Sequence, residues 1–213
     1  MTIKQVNKSH YDFNKYVNKC RWNSFFHQID ELIKATPDSI LEVGMGAGVT
    51  KSILKDVLCC KYESIDIDEE LNPDYIGSVL AMPFADSQFD VIGCFQVLEH
   101  LPFENFETAL SELFRVANKA VILSLPNAEF VRRIHIPGII SNKLIKIPFM
   151  LKKRHVFDGE HFWEINKVGY ELSKIIAIIQ KNAKSFDFIL EKEYRVYETP
   201  GHHFFVLKKR FNQ

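Results

Sequence analysis

The sequence predicts an α/β fold: a doubly wound, mostly parallel sheet of about seven strands, with helices on both faces and a terminal antiparallel hairpin. Three observations predict it. From residue 38 onward, short apolar runs alternate with stretches whose apolar residues recur every three to four positions. The first apolar run enters a glycine cluster, Gly44–Gly48, that opens a helical pattern. The two final runs, 186–194 and 202–209, read as a hairpin at the sheet edge. A chain of 213 residues buries roughly 70–75% of its unfolded surface, so the fold needs no disulfide or metal staple.

The elements follow in order. Residues 9–35 read as helical, with Tyr11, Phe13, Tyr16 and Val17, then Trp22, Phe25, Phe26, Ile29 and Ile33 near helical spacing. Thr36-Pro37-Asp38 turns the chain, so residues 1–37 form an N-terminal helical cap on a domain spanning 38–213. Its cap function rests on the aromatics Tyr11, Tyr16 and Trp22, which either cover a ligand or pack on the sheet. Ser39–Val43 is a strand, Val49–Leu58 a helix and Tyr62–Ile67 the second strand. Tyr75–Ser78 and Phe89–Phe95 are the third and fourth strands, Glu104–Asn118 a helix and Ala120–Leu125 the fifth strand. Residues 127–163 form an irregular insertion, and a helix resumes over Asn166–Lys181. Within the insertion, Ile134–Leu151 is apolar, broken by Lys143 and Lys146, and abuts Lys152-Lys153-Arg154. A packed helical insertion with a solvated basic end is the expected reading. The alternatives are a weak membrane-surface contact through 134–154 or a lid over a greasy substrate.

Composition narrows the function. Lys plus Arg and Asp plus Glu both number 27, which speaks against a dedicated nucleic-acid binder. Apolar runs such as Ala120–Leu125 and Ile175–Ile179 are too short to span a bilayer, and the first twenty residues lack a secretory apolar core. A cytoplasmic location is expected. Cys20, Cys59, Cys60 and Cys94 show no C-x-x-C spacing and read as reduced packing residues. No two histidines lie at i, i+4, so no metal site is expected. Nothing in the sequence speaks to oligomeric state.

The segment with the most chemistry is Glu42-Val43-Gly44-Met45-Gly46-Ala47-Gly48. Glycine permits a sharp turn and leaves room for a ligand against the backbone. Its G-x-G-x-G spacing differs from the G-x-G-x-x-G dinucleotide fingerprint. Glu42, two residues before the first glycine, would repel a pyrophosphate and suits a ligand bearing an ammonium group. Asp66 ends the second strand, where a carboxylate can accept both hydroxyls of a ribose. The alternative role for Asp66 is to cap the turn at Glu69–Leu71.

With these residues the chain resembles the class I S-adenosylmethionine-dependent methyltransferases, in particular their small-molecule, type 11-like branch. The likeness extends through Gly77–Ile92, through Gln96-Val97-Leu98-Glu99-His100-Leu101 after the fourth strand, and through Phe114–Val116 and Val121–Asn127. The resemblance implies S-adenosylmethionine as cofactor and a small-molecule acceptor, such as a sugar or lipid-linked metabolite. It implies that Glu42, Gly44 and Gly46 hold the methionine moiety while Gly48 lets the helix pack closely. It further implies Asp66 on the ribose, Ile67 against the adenine, Ser78 and Val79 at the adenine edge, and Gln96 beside the methionine end. Many relatives carry Asp where this chain has Ser78, which weakens the adenine contact.

Methyl transfer needs alignment and exclusion of water, with a base only for a hydroxyl or a protonated amine. His100, just after the fourth strand, is the first catalytic candidate; alternatively Glu99-His100 caps the strand or pairs with neighbouring loops. His161, in Gly159-Glu160-His161-Phe162-Trp163-Glu164-Ile165, is the second; alternatively this run is an aromatic plug anchoring the insertion. His202-His203 either approach the site or lie exposed. Two rival functions stand beside methyl transfer: an NAD(P)-dependent oxidoreductase, which the glycine spacing and Glu42 oppose, and a non-catalytic S-adenosylmethionine-binding module.

Overall fold

The computed structural model describes residues 8–138, 140–147 and 153–210. A seven-stranded sheet organises them. In chain order its strands are β1 (Ser39–Val43), β2 (Lys61–Asp66), β3 (Tyr75–Ile76), β4 (Phe89–Phe95), β5 (Ala117–Pro126), β8 (Phe188–Arg195) and β9 (His202–Lys209). The spatial order is β3-β2-β1-β4-β5-β9-β8. The first five pair in parallel, and β9 runs antiparallel to both β5 and β8. The last strand therefore sits inside the sheet and β8 forms its edge.

Four helices cover the two faces, as parallel strands buried on both sides require. Leu32 of α2 (Lys19–Lys34) and Leu54 of α3 (Val49–Val57) pack on Ile40, Val91 and Ile122. On the opposite face, Leu110 and Leu113 of α4 (Phe106–Val116) and Ile175 and Ile179 of α5 (Leu172–Lys184) pack on Leu41, Ile92 and Leu123. The strand order reverses between β1 and β4, and the loops leaving their carboxyl ends meet there.

Several boundaries depart from the sequence reading. The helix expected over 9–35 is broken: a 3-10 turn at Lys8–Tyr11 leads into α1 (Phe13–Tyr16) and only then α2. Asp12 accepts from the Asn14 amide and Asn18 from the Arg21 amide at 3.0 Å, so each starts a new helix rather than continuing one. Trp22 does not join a ligand cover; it is exposed on α2, as are Phe26 and Ile33. The helix expected from Asn166 begins at Leu172, because Asn166 and Gly169 adopt left-handed φ of 68° and 89°.

The largest correction concerns the insertion. Instead of a helix, β6 (Val131–Ile136) and β7 (Ile140–Lys146) form a separate antiparallel hairpin turning at Pro137-Gly138. Val131, Ile134, Ile136 and Ile140 are β-branched and fit a pleated ribbon better than a helix. Residues 139 and 148–151 of the expected segment lie outside the described residues. No helix among the described residues is long and apolar enough to cross a membrane.

Candidate active site

The glycine loop after β1 is shaped by close approach. Gly44, Gly46 and Gly48 have φ of 77°, 50° and 66°, a region that side chains disfavour. A Cβ on Gly44 would stand 2.3 Å from Cγ2 of Val97, so the β1 and β4 loops can meet only because Gly44 has none. Gly48 caps α3 and lines neither cavity described below. Gln96, the first residue beyond β4, also has a positive φ, 56°, and its Nε2 donates to Ser124 Oγ at 3.1 Å. A non-glycine residue held in this conformation is strain that the surrounding structure sustains.

Asp66 at the end of β2 ties this loop to its neighbour. Its Oδ2 accepts from the Met45 amide and its Oδ1 from the Asp68 amide, both at 3.0 Å. Each oxygen retains a second lone pair for a ligand hydroxyl. Burial pushes the Asp66 carboxyl up, against the Asp68, Met45 and Ile67 amides that hold it down. Asp68, not Asp66, caps the following turn, accepting from the Glu70 amide. A cleft runs from these groups along Ile67, Ser78 and Val79 to Gln96, with Tyr11 and Tyr16 across it. Ile67 is 39% exposed and so offers an apolar face, whereas Ser78 Oγ accepts from the Leu80 amide.

Glu42 lies deeper, 3% exposed, and accepts from the Tyr62 hydroxyl at 3.1 Å. Burial raises its carboxyl to about 8, with the Tyr62 hydrogen bond and Lys51 opposing. It faces a second cavity that shares Gly44, Gly46, Gln96 and His100 with the first. The polar wall of that second cavity comes from Arg21, Glu160, His161, Glu164 and His202.

His100 and His161 converge on this wall from loops sixty residues apart, with ring centroids 5.1 Å apart. His100 Nδ1 donates to the Glu160 carbonyl at 2.9 Å, and His161 Nδ1 to Glu164 Oε1 at 3.0 Å. Burial, reinforced by His161, lowers the His100 pKa. Burial also works downward on His161, but Glu164 and the nearby Glu99 outweigh it and raise the ring. Glu99 itself is 0% exposed, and its carboxyl is lifted to about 8 by burial.

The run 159–165 divides between packing and the cavity. Trp163 is the plug: fully buried, it donates to the Leu101 carbonyl and packs edge-on against Phe106. Glu160, His161 and Glu164 face the cavity. His202 reaches the cavity too, whereas His203 is buried against Asn127 and Glu193. Sequence reasoning missed Glu99, Arg21, Glu160 and Glu164 as site residues. Their only signal was proximity to the two candidate histidines and the N-terminal aromatics.

Residues 41–125 match the family model described as a methyltransferase domain. No curated protein matches the chain in sequence. Among solved structures, the chain is similar to the N-methyltransferase NodS of Bradyrhizobium japonicum in complex with S-adenosyl-L-homocysteine. That match has a TM-score of 0.62 and 11% identity, covering 96% of this chain and 94% of that one. It is also similar to 1,6-didemethyltoxoflavin-N1-methyltransferase of Burkholderia thailandensis, with TM-score 0.58, 11% identity and coverage of 94% and 84%. A third similar structure is the [4+2]-cyclase SpnF, at TM-score 0.56, 9% identity and coverage of 91% and 81%. The last has the same fold and a different named reaction, so the fold alone does not specify the chemistry.

Proposed function

We propose that the chain, whose residues 41–125 match a methyltransferase-domain model, is a class I S-adenosylmethionine-dependent methyltransferase that methylates a polar small molecule. The cofactor is S-adenosylmethionine, and the residues present suit it. The cradle around Gly44 has no space for a Cβ, Asp66 keeps lone pairs for two hydroxyls, and Glu42 brings a carboxylate for an ammonium group. Ile67 and Val79 supply the apolar walls an adenine ring needs, with Ser78 at its edge. When bound, S-adenosylmethionine supplies a methyl group already activated on a sulfonium.

The observation that carries the acceptor reading is the second cavity, which joins the cofactor cleft at Gly44, Gln96 and His100. Its charged and histidine-rich wall favours a water-soluble acceptor such as a sugar over a lipid-linked one. Two similar structures are N-methyltransferases by name, one of them with 1,6-didemethyltoxoflavin bound, which agrees in class. In this reading Glu42, Gly44 and Gly46 hold the methionine end beside Gln96, and Gly48 sets the start of α3. His100 and His161 act on the acceptor's nucleophilic atom. Burial, reinforced by His161, lowers the His100 pKa and so favours the neutral ring.

Calorimetry with S-adenosylmethionine is expected to detect binding that Asp66→Ala weakens at least tenfold (~1.4 kcal/mol), with no signal from NAD. Methyl-labelled cofactor, incubated with separated water-soluble and lipid extracts, is expected to label the water-soluble fraction. His100→Ala and His161→Ala should each lower that turnover by about 100-fold or more while leaving cofactor binding intact. Label confined to the lipid fraction would sink the polar-acceptor reading, and binding without turnover on any fraction would favour a non-catalytic module.

A further inference from the structure

Glu99 stands out among the buried charged residues described. It is fully buried, and neither carboxylate oxygen has a hydrogen-bond partner among the described residues. A buried acid left this way costs stability unless something completes its coordination. His100 and His161 stand beside it. One ligand atom from each of the three lies within 4.8 Å of the other two.

We propose that Glu99, His100 and His161 form a binding site for a divalent first-row transition ion such as Zn2+, at the acceptor end of the cavity. Two imidazoles and one carboxylate are a common donor set for such ions, and three protein ligands leave a position open for substrate. Ligands held about 2.1 Å from one ion stand at most about 4.2 Å apart, so closing less than an ångström completes the site. The outer contacts are those that ligating histidines use. Each ring donates its Nδ1–H, His100 to the Glu160 carbonyl and His161 to the Glu164 carboxylate, which directs the Nε2 lone pair the other way. Main-chain contact supports the arrangement too, since the Phe162 amide donates to the Glu99 carbonyl at 2.8 Å and locks the two loops together.

A second grouping, Asp158, His161 and Glu164, has comparable spacing but its atoms are already engaged. Asp158 is exposed and its Oδ1 accepts from the amides of Glu160 and His161, while Glu164 holds His161. These groups orient the loop, whereas the Glu99 oxygens accept no hydrogen bond of ordinary geometry among the described residues.

The ion's binding does not depend on the methyltransferase reading; what it selects does. Since His100 and His161 line the acceptor cavity, an ion there faces the acceptor. It would draw charge from a hydroxyl oxygen and lower its pKa, so the acceptor class becomes a hydroxyl-bearing polar molecule.

The test uses the full-length, untagged protein stripped with a chelator, with no cofactor or acceptor present. Zn2+ titrated by calorimetry is expected to bind at one equivalent, and Co2+ to give visible absorption bands of a histidine-ligated ion. Glu99→Gln should weaken Zn2+ binding by at least about 100-fold, the upper end of what losing a mere outer-shell partner costs. Asp158→Asn should leave it within a few-fold of wild type. Should Glu99→Gln not fold, His161→Gln carries the same expectation. No Zn2+ uptake by the wild type, or wild-type affinity in Glu99→Gln or its stand-in, would overturn the proposal. So would loss of binding in Asp158→Asn with Glu99→Gln unaffected. Cofactor binding is measured separately, so failure of the ion site and failure of the methyltransferase reading remain distinct results.

Discussion

Glu42 sets a pH dependence that a glycine loop alone would not have. Burial lifts its carboxyl to about 8, so near neutral pH the free protein holds it largely protonated. On the proposed assignment it meets the cofactor's ammonium group, which favours the carboxylate and lowers that pKa in the complex. The ligand thus binds the deprotonated form better, and affinity must rise as pH climbs toward about 8 and level off above it. Between pH 8 and 6.5 the loss should reach about tenfold, since each unit of pH below the free-state pKa costs up to ~1.4 kcal/mol. Calorimetry across that range, in buffers of different ionisation enthalpy, should also register proton release on binding. Glu42→Gln should flatten the profile. A flat wild-type profile would remove Glu42 from the ammonium site. This residue's position was legible from two residues of spacing to Gly44, but its burial was not. The partner that holds it, Tyr62, comes from the neighbouring strand, in the register where Ile40 pairs with Tyr62.

Among the elements, the N-terminal segment Lys8–Tyr16 is the one whose role separates stability from binding. None of its described residues is buried, and neither hydrophobic cluster includes one. Yet a Cβ on Gly46 would touch the Tyr11 ring at 3.3 Å, and Tyr11 and Tyr16 line both cavities. The Tyr11 and Tyr16 rings stand edge to face 5.1 Å apart, and Arg21 donates to the Tyr16 carbonyl. Removing residues 1–17 should therefore weaken cofactor binding by about tenfold or more, the ~0.5–1.5 kcal/mol of a good aromatic contact plus its buried area. The melting temperature should move by only a few degrees, as expected for losing less than ~1 kcal/mol from a chain of this size. A large thermal loss with unchanged affinity would make the segment a structural brace. The aromatic spacing signalled such a cover, while the breaks at Asp12 and Asn18, which bend it over the glycine loop, are local capping choices that a periodic pattern averages away. The β6–β7 hairpin was misread for a related reason: short apolar runs fit a helix face as well as a ribbon, and only β-branching and the Pro137-Gly138 turn distinguish them.

At the scale of the whole molecule, a core on each face of one sheet makes β4 the most shielded strand, buried along all seven residues. Cys94 lies in it, and burial holds its thiol far above the ordinary value, whereas Cys20 and Cys59 are exposed. A thiol reagent at neutral pH should modify Cys20 and Cys59 in the native protein and reach Cys94 only when the sheet opens globally, at a rate set by unfolding. Mass spectrometry across a denaturant series would check this, and rapid native labelling of Cys94 would contradict the two-sided burial. The doubly wound sheet, the glycine loop and the acid ending β2 were readable because apolar period, glycine placement and strand-to-helix alternation are local and repeat along the chain. The union of Glu99 and His100 with His161 was not readable, nor was the meeting of His202, Arg21 and Glu164 on one cavity wall. Those residues are remote in sequence and become neighbours only where α2, the start of β9 and the segments after β4 and β5 converge on one cavity. No period in the chain encodes a contact that packing alone creates.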